Sequence, residues 1–246
     1  MSRRWFLGHA LLLALTAGLL LLVFESGDVD RWLAQPFYDA VAHDFPLRQH
    51  VQVGPVLYYV FKFATLSGAV LAAAGCLLAL VWRIDWLPPR NAALALLGLV
   101  LVPAAVALLK LNTNRHCPWD IVDFGGFAPY VGLLAEMPGE IVRGMCFPAS
   151  HAATGFMWLA PALALHAVSP RWSRRAIWLA LGIGLVMGLT RQAQGGHFMS
   201  HTLWSAWLAW AISLSLAALL GVGRPGSLAA RPEDAGPDHR GICQTQ

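Results

Sequence analysis

Residues 92–109 read AALALLGLVLVPAAVALL, eighteen positions without a charged or amide side chain, and the run stops at Lys110. A helix needs about 20 consecutive apolar residues to cross a bilayer, so residues 91–109 are predicted to span one. Outward from this stretch, comparable apolar runs lie at 3–24, 55–82, 150–168, 177–189 and 202–222. The 246 residues are 57% hydrophobic and 12% charged, about half the charged share of an ordinary soluble domain. The predicted fold class is all-α, a six-span transmembrane helix bundle forming one domain over 1–223. The Pro-, Gly- and charge-rich remainder, 224–246, is predicted to be a disordered tail.

The first run is followed by Glu25-Ser26-Gly27-Asp28, with no small-residue cleavage site, so it reads as a retained span and not as a removed signal. Residues 29–54 mix aromatics with Asp30, Asp39 and Asp44 and are expected to lie along the membrane interface as an amphipathic segment. The net charge of +4 does not point to nucleic acid, because no Lys/Arg-rich run interleaved with aromatics is present. Eleven tryptophans suit the two interfacial belts of a membrane protein.

Six spans put both termini on one side. Arg3, Arg4, Arg83, Arg90, Arg171, Arg174, Arg175, Arg224, Arg231 and Arg240 fall on that side. The opposite loops carry five arginines and nine of the thirteen acidic residues. Basic loops stay in the cytoplasm, so the loops after the first, third and fifth spans are expected to face outward.

That topology gathers the unusual polar groups at one end. The third span runs into Lys110-Leu-Asn-Thr-Asn-Arg115-His116-Cys117-Pro118-Trp-Asp120. The fourth begins at Phe147-Pro148-Ala149-Ser150-His151, and the fifth ends in Arg191-Gln-Ala-Gln-Gly-Gly-His197-Phe-Met-Ser-His201. Fixed cations and hydrogen-bond donors are what a transferring phosphoryl group needs, since its charge is spread over three equatorial oxygens. Ser150 and His151 open a helix, where free backbone N–H groups favour anions. His197 and His201, four apart, would share one face of a helix. That spacing suits either a metal-ligand pair or a reacting imidazole oriented by a second one.

The three segments, in this order, resemble the three-part signature of the type 2 phosphatidate phosphatase family, which also includes bacterial acid phosphatases and vanadium haloperoxidases. Arg191 to His197 keeps the family's spacing, and Pro148-Ala149-Ser150-His151 is similar to its second part. The sequence departs from the signature at three points. Arg115 is five residues beyond Lys110 and is followed by His116-Cys117 before the proline; Ala149-Ser150 stands for the family's Ser-Gly; and His201 stands for its aspartate.

The resemblance implies a membrane lipid phosphatase. It would act on a phosphomonoester or diphosphate at the outer face of a bacterial inner membrane, through a phosphohistidine. His197 would attack phosphorus with His201 orienting it. Lys110, Arg115, Ser150 and Arg191 would bind the phosphoryl oxygens. His151 would protonate the leaving oxygen and then activate water. No cofactor and no metal are implied. The expected partners are the membrane and a lipid phosphate: a polyprenyl diphosphate, lipid A, phosphatidylglycerophosphate or phosphatidate. The same residues would serve transfer of the phosphoryl group between lipids. Cys117 and Cys146 fall in one outward connection, where an oxidising compartment permits a disulfide.

Two other classes compete. His151, His197 and His201 would make a three-histidine zinc site, although no H-E-x-x-H is present and Lys110 and Arg191 would repel a dication. A transporter or structural membrane protein would explain the spans but not three polar motifs at one end.

Overall fold

The protein is described here by a computed structural model covering residues 2–49, 54–82 and 86–222. The expected tail from Arg224 and the loop arginine Arg83 lie outside the described residues. The helices are α1 (Arg3–Phe24), α2 (Asp28–Ala34), α3 (Pro46–Gln49), α4 (Gly54–Trp82), α5 (Pro89–Thr113), α6 (Ser150–Phe156), α7 (Leu159–Ala164), α8 (Pro170–Ala193) and α9 (Met199–Leu219). Among the described residues there are no strands, only isolated bridges such as Arg115 with Met145.

Five helices are long and apolar enough to cross a membrane: α1, α4 from Lys62, α5, α8 and α9. The fourth expected span is not a single helix. It is α6, α7 and a 3-10 turn at Leu165–Ala167, broken at Met157 and Trp158. Pro161 explains the break: it has no N–H to give the carbonyl four residues back, at Met157, and its ring crowds that carbonyl.

The long helices carry apolar residues all around, as a helix does when one side meets protein and the other lipid. Leu22 on α1 is 83% exposed, a lipid-facing side chain and not a packing fault. α1 leans on α9, where the Trp207 indole donates to the Leu13 carbonyl at 2.9 Å. Between α6 and α8 the backbones touch. A Cβ added at Gly155 would stand 2.5 Å from the Gly184 Cα, so only glycine allows this approach, the small-residue packing usual between membrane helices.

The buried core runs through the bundle in layers. One holds Leu94, Leu163 and Ala217, and the next Leu99, Val102, Phe156 and Leu159. The third is a cap of Ala34, Phe45, Ile121, Phe124 and Phe198. That cap draws on the segment 29–54, described as far as Gln49. The described part is not one continuous strip. It folds as α2, a turn and α3, and tucks Ala34 and Phe45 against Phe198 beside the histidines, because burying two apolar anchors outweighs wetting them. α5 and α8 are also longer than expected. Lys110 therefore lies in the last turn of α5 and Arg191 in the last turn of α8, and Arg171, Arg174 and Arg175 are helical.

Candidate active site

His197 sits in a five-residue link between α8 and α9, and both ends of that link are fixed. α8 stops in a Schellman arrangement. The Gly196 N–H bonds the Arg191 carbonyl at 2.8 Å, and the Gly195 N–H bonds the Gln192 carbonyl at 2.8 Å. Gly195 takes φ +70°, a conformation that glycine adopts without penalty. α9 starts at N-cap Phe198, whose side chain cannot cap. Asp30 from α2 does so instead, accepting the Ser200 N–H at 2.9 Å and the Ser200 hydroxyl. Gln192 ties the other helix to α2 through the Leu33 carbonyl at 2.8 Å.

Held this way, His197 is buried, 3% exposed. Its ring centroid lies 6.1 Å from that of His151 and 5.9 Å from that of His201. Burial, then His201 and the charges of Lys110 and Arg191, push its pKa well below the usual histidine value, so the ring is neutral with a lone pair available. Lys110 acts electrostatically on all three histidines, and Arg191 on His151, His197 and Lys110. Arg191 is shaped by its surroundings. It donates to Gln194 Oε1 at 2.7 Å, its guanidinium carbon lies 5.3 Å from the Trp119 ring centroid, and a Cβ on Gly196 would come within 2.5 Å of its Nη2.

Two of the expected residues are engaged elsewhere. Arg115 spends its guanidinium on carbonyls, at 3.1 Å to Asn114, 2.9 Å to Leu133 and 2.5 Å to Ala135. It braces the 130s loop, and its charge, like that of Lys110, acts on His201. His201 does not hold His197, whose Nδ1 has no hydrogen-bond partner among the described residues. Its ring instead bonds the Cys146 backbone and is flanked edge-on by Phe147 and Phe198 at 5.3 and 5.5 Å. With the Ala149 N–H on the His201 carbonyl at 3.2 Å, it pins the loop that precedes His151. Ser150 is the first residue of α6, with His151 beside it.

The connection is stitched by Cys117 joined to Cys146, Cα atoms 5.3 Å apart, next to the Cys146 N–H on the Arg115 carbonyl at 2.8 Å. His116 braces it through the Val142 carbonyl at 2.8 Å, and Asp120 takes the Cys117 N–H at 3.2 Å. As for metal ligation, the donor atoms of the three histidines do not come together. Among the described residues the group of His, Cys, Asp or Glu donors within 4.8 Å of one another is Cys117, Asp120 and Cys146, and its two sulfurs are bonded to each other.

Sequence reading missed Asp30, Tyr130 and Trp119. Tyr130 donates to Asp30 at 3.1 Å and to the Phe24 carbonyl at 3.1 Å. The one available signal was the acidic pair Asp28 and Asp30 beside a single local cation, Arg31, in Asp28–Ala34.

Comparison with known proteins identifies the family of the chain. A family model described as the PAP2 superfamily matches residues 91–222, more than half of the chain. No curated protein matches the sequence. Among solved structures, the crystal structure of the first transmembrane PAP2-type phosphatidylglycerolphosphate phosphatase, from Bacillus subtilis, is similar in fold. It is 17% identical with a TM-score of 0.55, and the match covers 87% of this chain and 97% of that one. The chain belongs to the PAP2 superfamily.

Proposed function

We propose that this PAP2-superfamily membrane protein is a lipid phosphatase, cleaving a phosphomonoester or diphosphate through a phosphohistidine at the outer face of the membrane. The observation that carries the reading is the convergence of two histidines, His197 and His151, with the fixed charges of Lys110 and Arg191 at one end of the bundle. In the first step a neutral His197 nitrogen attacks phosphorus and the P–O bond to the lipid breaks. The bound phosphate anion offsets the charges of Lys110 and Arg191, so His151 takes up a proton with the substrate and gives it to the departing oxygen. In the second step His151 takes a proton from water, the resulting hydroxide attacks phosphorus, and the N–P bond breaks to release phosphate. Lys110 and Arg191 neutralise the equatorial oxygens throughout.

Arg115 and His201 serve this chemistry by holding loops, which their hydrogen bonds to backbone support. The interrupted α6–α7 segment makes the sixth crossing, and the arginine asymmetry supports an outward-facing site with cytoplasmic termini. The substrate is a lipid phosphate that enters sideways from the bilayer. Phosphatidylglycerophosphate is the first candidate, because the similar structure is named for it; polyprenyl diphosphate, lipid A and phosphatidate complete the panel.

The test is phosphate release from that panel by the purified protein in detergent with EDTA present, beside His197→Ala. Release from one lipid that persists in EDTA and vanishes in a variant of unchanged thermal unfolding supports the reading. Release that EDTA abolishes, or that survives His197→Ala, defeats it.

A further inference from the structure

At the end of the bundle away from the histidines, the 3-10 turn after α7 and the first turns of α8 enclose a groove of about 350 Å³. Its walls are Leu165, Val168, Trp172, Ala176 and Leu179, with Arg175 at the rim. The volume falls within the range of small-molecule sites, and a wall of this kind suits an alkyl chain.

Among the described residues these charges have no acidic counterpart at this end. Every acidic residue among the described ones lies in 25–44 or 120–140, the segments that build the histidine end. Arg171, Arg174 and Arg175 are exposed on the first turns of α8 and form no ion pair among the described residues. On a helix, Arg171 and Arg175 lie one turn apart on one face, beside the stripe of Trp172 and Leu179. Arg175 folds over the Trp172 ring, its guanidinium carbon 4.9 Å from the centroid, which keeps the charge at the rim of the apolar groove. From Arg171 to Leu179 the helix rises by about 12 Å. The surface therefore passes from cationic at the membrane boundary to apolar toward the interior, the polarity profile of a lipid with an anionic headgroup.

We propose that this groove is a binding site for an anionic phospholipid, separate from the histidine site. Arg171 and Arg175 hold the headgroup phosphate, and one acyl chain lies along Trp172, Ala176 and Leu179. A zwitterionic lipid would leave the arginines facing its own cationic group. A lipid fits better than a second copy of the chain, because a second copy presents the same cations at this end and would bring like charges together.

The test is native mass spectrometry of the delipidated full-length protein with equimolar phosphatidylglycerol and phosphatidylcholine of matched chains. Phosphatidylglycerol should be retained in preference. Arg171→Gln with Arg175→Gln should reduce that preference roughly tenfold or more, since each arginine near an anionic headgroup contributes on the order of fivefold. Ala176→Phe, which fills the groove, should lower retention while leaving the arginines in place. Equal retention of both lipids, a double variant that keeps the parent's preference, or a dimer that excludes lipid would overturn the proposal.

Discussion

Asp30 and Ser200 lie 170 positions apart in sequence, yet the Asp30 carboxylate takes both the backbone N–H of Ser200, at 2.9 Å, and its hydroxyl. Asp30 is fully buried, 0% exposed, and Tyr130 supplies a third donor. A carboxylate at a helix start meets the unsatisfied N–H groups and the positive end of the dipole. Here it comes from another helix, so one residue fixes α2, the 130s loop and the segment that carries His197.

Removing that carboxylate should be costly. Asp30→Ala leaves the Ser200 N–H and the Ser200 hydroxyl buried without their acceptor and leaves the Tyr130 hydroxyl only the Phe24 carbonyl, at about 1–3 kcal/mol for each donor left unsatisfied. The thermal unfolding midpoint in detergent should fall well below that of an Asp28→Ala control on the exposed side of α2. Equal midpoints for the two variants would show that Asp30 does not hold the link.

The same residue gives stability a pH dependence of defined sign. Burial, opposed by hydrogen bonds from Ser200 and Tyr130, raises the Asp30 carboxyl from 3.8 to about 6. The native state therefore holds this proton more tightly than the unfolded state does. Its contribution is fully present below about pH 4, declines as pH rises through about 6, and is constant above; the span is about 3 kcal/mol. Thermal unfolding followed from pH 4 to pH 7 should show this decline in the parent, and Asp30→Asn should flatten it.

Arg191 and Arg115 should separate by readout. Arg191 lies with Lys110 beside His151 and His197, so Arg191→Ala should lower kcat/KM for phosphate release by 100-fold or more, in the range of a lost transition-state donor, with little change in unfolding. Arg115 is committed to the Leu133 and Ala135 carbonyls, so Arg115→Ala should lower the unfolding midpoint first. Assays of both variants at matched folded fraction decide the assignment. Gly196→Ala tests the same corner: its methyl would displace the Arg191 guanidinium and should mimic Arg191→Ala in activity.

The Cys117–Cys146 bond closes a loop with a sequence separation of 29. Chain-entropy arguments assign such a closure about 3–4 kcal/mol. Reduction, or Cys117→Ser with Cys146→Ser, should lower the unfolding midpoint and expose the 130s loop to protease. An unchanged cleavage pattern would show that backbone pairing at Arg115 and Met145 holds the connection without the bond.

Hydropathy and spacing, read along the chain, were enough to identify a helical membrane protein and to place three polar segments at one end of it. Both are local properties: an apolar run must find lipid or protein wherever it lies, and helix connectivity then puts alternate loops on one side. The same reading assigned Arg115 to phosphate and His201 to His197; in the structure the hydrogen bonds of both go to backbone groups. The sequence contained no local sign of that choice, because a guanidinium or imidazole bonds whichever acceptor packing brings near. Pro161 was visible as a residue, but the break it makes depends on its falling four residues after Met157 within a span. Asp30 looked like an interfacial acid. Only the packing of α2 against the start of α9 turned it into a buried cap, since hydrogen bonds between residues so distant in sequence exist only once the bundle has closed.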